Sequence, residues 1–84
     1  MITIKDARKI VGTLSEVKDA VFINGVLITA YNPSGVHASF KVTYDETELT
    51  FWRGSLVIAS ISYEDVTSIE TVSEVYNIKE GRWK

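Results

Sequence analysis

The 84-residue sequence predicts a mainly β (α+β) fold, with an N-terminal amphipathic helix followed by a five- to six-stranded antiparallel meander. Three observations carry this. Ten Val, nine Ile and eight Thr make 27 of the 84 residues β-branched, which suits a pleated sheet and costs side-chain freedom in a helix. The apolar pattern changes period once, from three-and-four to two, after a linker around residues 13–19. Turn residues then recur at short intervals, beginning with Asn24-Gly25.

The helix is expected over about residues 4–12. Thr3 and Asp6 form a capping box with Asp in the place of the usual Glu or Gln. Ile4, Ala7, Ile10, Val11 and Leu14 line one side, Lys5, Arg8 and Lys9 the other, and Gly12 marks the end. The short, mixed-charge polar face favours packing on the protein's own sheet over a membrane or partner surface.

Strands are expected at about 20–23, 26–31, 36–45, 48–53 and 56–62. Both residues of Asn24-Gly25 tolerate the positive φ of a type I′ turn, which pairs Ile23 with Val26 and Phe22 with Leu27. The Asn32-Pro33-Ser34-Gly35 turn pairs Tyr31 with Val36. A turn at Glu46-Thr47 pairs Tyr44 with Leu49 and Val42 with Phe51. A turn at Gly54-Ser55 pairs Phe51 with Ile58. These registers put Phe22, Leu27, Phe40, Val42, Leu49, Phe51 and Ile58 on one core face. Residues 66–78 fit two patterns. Val66, Ile69, Val72 and Tyr76 have helical spacing behind Asp65, but β-branching favours a turn at 63–66 and one or two short strands. The plan is that of a small, partly open barrel, similar in outline to the Sm-like, SH3-like and PH-like barrels, by analogy of architecture alone.

The opposite face has a polar middle strand, His37, Ser39, Lys41 and Thr43. It is flanked by Val21, Ile23, Val26 and Ile28 on one side and by Trp52, Val57, Ala59 and Ile61 on the other. Burying a Val or Ile side chain is worth about 1.5–3 kcal/mol, so both groups call for cover. The helix can supply one; the other needs the C-terminal segment or a second molecule. Trp52, Val57, Ile61, Lys41 and Arg53 therefore form the candidate interaction surface, with Tyr31, His37 and Trp83 as secondary candidates. Trp and Arg are enriched where interfaces concentrate their binding energy.

Charge narrows the partners. Between residues 43 and 74, Asp45, Glu46, Glu48, Glu64, Asp65, Glu70 and Glu74 face Arg53 alone, while 75–84 carry Lys79, Arg82 and Lys84 against Glu80. A nucleic-acid backbone calls for a concentrated basic face, so direct binding there ranks low. The opposite charges of middle and tail favour attraction between copies. "IKEGRWK" is either a frayed end or a tail docked through Trp83.

Catalytic patterns are not found. His37 is the single histidine; Ser39 and Asp45 lie too far along its strand for Ser–His–acid chemistry. The Asp45/Glu46/Glu48 and Glu64/Asp65 acids fall at expected turns rather than across a cleft. No spacing fits a Ca²⁺ loop or a phosphate cradle. Without cysteine there are neither disulfides nor thiolate zinc ligands, and no metal or cofactor is expected. No apolar run approaches the roughly 20 residues that cross a bilayer, and "MITIKDARKIVG" lacks a secretory apolar core. The expectation is a cytoplasmic, non-enzymatic protein-interaction module that self-associates, or an inhibitor or adaptor of a larger protein. The alternatives are a small-barrel nucleic-acid or nucleotide binder and an acidic decoy of a nucleic-acid-binding protein.

Overall fold

Helix α1 runs Ile4–Leu14 in the computed structural model, which describes residues 1–15, 20–28 and 40–84. Its start is the expected capping box: Asp6 N donates to Thr3 Oγ1 at 3.3 Å, and Thr3 N donates to Asp6 Oδ2 at 2.9 Å. The helix continues two residues past the predicted stop. Gly12 stays helical and Leu14 is wholly buried, so packing outweighs the glycine signal. Ala7, Ile10 and Leu14 face inward, whereas Ile4, expected on the same stripe, is 44% exposed.

The strands are β1 (Val21–Ile23), β2 (Val26–Leu27), β3 (Phe40–Tyr44), β4 (Glu48–Arg53), β5 (Leu56–Ser62), β6 (Ile69–Thr71), β7 (Tyr76–Asn77) and β8 (Arg82–Trp83). A 3₁₀ turn occupies Tyr63–Asp65. Every pairing among the described residues is antiparallel, and β4 and β5 match their predicted bounds. Among the described residues the strands form two three-stranded sheets, β2-β1-β6 and β3-β4-β5, and a β7-β8 hairpin, with no closed barrel. The turn expected at 32–35 and the strand segments 29–31 and 36–39 lie outside the described residues.

Two register expectations hold; one register and one buried face need correction. Phe22–Leu27 and Ile23–Val26 pair as predicted, as do Val42–Phe51 and Tyr44–Leu49. Phe51, however, lies opposite Ala59, not Ile58. Trp52 pairs with Val57, so a bulge falls between the two pairs and moves the rest of β5 by one residue. Ala59 and Ile61 consequently join Phe51 and Leu49 on the inner side, with Ser60 and Ser62 outside. The inward face of β1 is also reversed. Val21 and Ile23 are buried at 0% and 5% exposure, Phe22 is half-buried and Leu27 is 53% exposed. In place of one continuous sheet, β1 has β6 as a neighbour, with Ile23 opposite buried Ile69, and it packs its own face.

One core joins the helix to both sheets, with Phe51, Leu49 and Val42 from one sheet meeting Val21, Ile23 and Ile69 from the other. Residues 66–78 take the strand alternative: β6 and β7 form and no helix does. The C-terminal hairpin was not anticipated. Its loop closes where Gly81 N donates to Asn77 O at 2.8 Å, with Gly81 at φ 69°, a conformation glycine adopts without steric cost.

Candidate interaction surface

β-strand alternation sends Lys41 and Thr43 of β3, Trp52 of β4 and Val57 of β5 to the outer face of the second sheet, away from the Val42–Phe51 side. Trp52 is half-buried there, and its orientation is set within its own sheet. Its Nε1 donates to Thr43 Oγ1 at 2.9 Å, and the Lys41 ammonium stands 5.1 Å from the ring centroid. Such a cation–π contact is worth about 0.5–1 kcal/mol at an exposed site. Across the strand Val57 is 48% exposed, and Leu56, at the turn, is 65% exposed. Arg53 is exposed at the same end of β4, opposite Leu56.

Of the predicted surface residues, the structure brings Trp52, Val57 and Lys41 together, whereas Arg53, the next residue on β4, alternates to the other side of the sheet with Leu56. The structure also separates Ile61, which the bulge turns toward the core beside Leu49. Tyr31 and His37 lie outside the described residues. Trp83 sits in the docked tail: it packs on the core and meets Tyr76 edge-on, 5.4 Å between centroids at 79°. Val75 and Lys84 exchange backbone hydrogen bonds of 3.0 and 2.8 Å, so the end of the chain is paired. The tail cations are engaged nearby, Lys84 Nζ at 2.7 Å and Arg82 Nε at 3.3 Å from Glu80 Oε2.

The acids largely serve turns. Asp45 Oδ1 accepts from Thr47 N at 2.7 Å and Glu48 N at 2.9 Å, and these bonds hold its carboxyl below the ordinary Asp range. Tyr63 Oη donates to Asp45 O, and burial, then the Asp45 charge, push the phenol upward. A shallow cleft of about 700 Å³ runs between the start of α1 and this turn, lined by Met1, Ile4 and Tyr63 with Glu46 and Glu64 at its margin. Among the described residues no three His, Cys, Asp or Glu side chains converge as metal ligands, and no helix is long and apolar enough to cross a membrane.

Two polar constellations escaped the sequence reading. Asn24, identified as a turn residue, uses its whole side-chain amide on residues 65–68. Asp6, identified as a cap, also accepts from Tyr76 Oη at 2.5 Å, while Lys9 Nζ donates to Gly81 O at 2.7 Å. Both join segments far apart in sequence, for which local pattern carries no signal. No protein-family model, curated protein or solved structure matches this chain.

Proposed function

We propose that the chain is a non-enzymatic protein-interaction module that self-associates through the outer face of β3-β4-β5. The observation that carries the reading is Trp52 held in place by Thr43 and Lys41 beside exposed Val57. An aromatic ring fixed before binding loses little further entropy on contact, which is what an interface anchor requires. Lys41 stands over the ring, and the acids of residues 43–74 offer a second copy complementary charge. Ile61 leaves the proposed face, since it points inward, and so does Arg53, which alternates to the other side of β4.

Nucleic-acid binding has less behind it. Lys9, Arg82 and Lys84, three of the nine basic residues, already have partners in the chain, and residues 43–74 carry seven acids against Arg53 alone. The test is solution mass by light scattering for wild type and Trp52→Ala, with circular dichroism to confirm folding. The expected result is a wild-type oligomer and a folded, monomeric variant. A monomeric wild type at high concentration overturns self-association, and an oligomer untouched by Trp52→Ala moves the interface elsewhere.

A further inference from the structure

The Asn24-Gly25 turn contains the side chain that fastens the β1-β2 hairpin to the segment after the 3₁₀ turn. Asn24 Nδ2 donates to Asp65 O at 2.8 Å. Its Oδ1 accepts from Thr67 N at 2.7 Å, Thr67 Oγ1 at 3.0 Å and Ser68 N at 3.1 Å. Asn24 N also donates to Ser68 O at 2.9 Å. The turn itself has φ 53° at Asn24 and 79° at Gly25, the type I′ signature.

An asparagine followed by glycine carries its own reagent. Glycine has no side chain to hinder its amide, so Gly25 N can attack Asn24 Cγ. The new N–Cγ bond closes a five-membered succinimide, the Cγ–Nδ2 bond breaks, and ammonia departs with the proton given up by Gly25 N. Water then opens the ring at one of its two carbonyls, leaving aspartate or isoaspartate. No oxidant or reductant is involved.

The folded geometry opposes the first step. Ring closure needs the Asn24 Cα–Cβ bond and Gly25 N on the same side of the Cα–C bond. A type I′ turn sets ψ of its first central residue at about +30°, which carries that nitrogen to the far side. The four side-chain hydrogen bonds further hold Cγ toward residues 65–68. The same two residues that suit the turn are thus chemically labile when the turn opens.

We propose that Asn24-Gly25 is a latent modification site, silent in the folded chain and converted when the hairpin parts from residues 65–68. The conversion is one-way in structure as well as chemistry. A carboxylate puts an acceptor where Nδ2 had donated to Asp65 O, and isoaspartate also lengthens the backbone through the turn.

The test follows deamidation of the full chain at mildly alkaline pH, folded and in concentrated urea, by peptide mass and isoaspartate content. If the clamp must open first, the folded chain reacts at least about thirtyfold more slowly, the low end for four net hydrogen bonds. Equal rates in the two conditions overturn the silencing. For the one-way step, Asn24→Asp is compared with Asn24→Gly, which keeps the turn and omits the side chain. Asn24→Asp should unfold at lower urea than Asn24→Gly, or fail to fold where Asn24→Gly folds. An Asn24→Asp chain as stable as wild type overturns it. Should neither variant fold, isoaspartate recovered from folded, full-length protein after the time course overturns it as well.

Discussion

The turns at Asn24-Gly25 and Gly54-Ser55 are equally short, and each joins two antiparallel strands in the register its residues predict at the turn itself. Beyond that they behave differently. Asn24 extends its amide to residues 65–68 and ties its hairpin to a segment some 41 to 44 positions away. Gly54, at φ 61°, supplies only a local reversal, and within a few residues a bulge alters the pairing. Turn chemistry sets the first pair of a hairpin; side-chain partners and packing decide how far that register extends. At the first turn the fold adds a clamp, and at the second it adds a residue.

The second hairpin gives the strongest way to break this comparison. Phe51 and Trp52 are consecutive, yet one is 1% exposed in the core and the other lies half-buried on the outer face. Phe51→Ala should cost about 3–5 kcal/mol, the range for emptying a buried aromatic site. Trp52→Ala should cost markedly less, since it loses one side-chain hydrogen bond and a cation–π contact rather than core volume. Urea unfolding of both variants reads the difference. Equal losses would mean that Trp52 is a core residue and that the outer face is not available for a partner.

At the first hairpin the expected effect is smaller and can be divided. Asn24→Ala removes the clamp and forces an alanine into the left-handed region, for about 3 kcal/mol together at the low end of both costs. Asn24→Gly removes the clamp but keeps the conformation at little steric cost, so it should lose less. The gap between their urea midpoints is the backbone part, and the loss remaining in Asn24→Gly is the clamp. If Asn24→Gly matches wild type, the bonds to residues 65–68 contribute nothing and the two turns are energetically alike.

Legibility followed the same division. The capping box, the β4 and β5 bounds and the pairs next to each described turn could be read because each depends on residues within a few positions. The bulge could not: Ile58 and Ala59 are both acceptable strand residues, and both pack against the core, so only the observed register opposite Phe51 and Leu49 identifies Ala59 and Ile61 as the inward pair. The inner face of β1 was misread for a related reason. Alternation identifies two faces but not which one the neighbouring sheet and helix will cover. The C-terminal hairpin left a faint trace in Asn77 and Gly81, four apart, overshadowed by the helical spacing upstream. Within the candidate surface, Trp52, Val57 and Lys41 could be read from register, whereas the exclusion of Ile61 needed the bulge.

The smallest effect concerns a third connection, between α1 and the C-terminal hairpin, which is tuned by pH where the Asn24 clamp is not. Burial alone would raise the Asp6 carboxyl, but hydrogen bonds from Tyr76 Oη, Thr3 N and Thr3 Oγ1, with the Lys9 charge, together bring it below the ordinary Asp value. Burial, then Asp6, pushes the Tyr76 phenol well above its usual value. A lowered carboxyl contributes fully above the unfolded value of about 3.9, and that part is lost as pH falls through the folded value. A raised phenol contributes fully below about 10 and loses its part as pH climbs beyond that. Tyr76→Phe keeps the ring against Trp83 and removes the hydroxyl, for about 1 kcal/mol near neutrality. Urea midpoints from about pH 3 to pH 7 should therefore fall less steeply toward acid in Tyr76→Phe than in wild type. Asp45, also lowered but distant from Tyr76 in its hydrogen bonding, contributes equally to both curves and cancels. Parallel curves would show that the hydroxyl adds nothing to Asp6, and that the tail is held by Trp83, Lys9 and its backbone pairs alone.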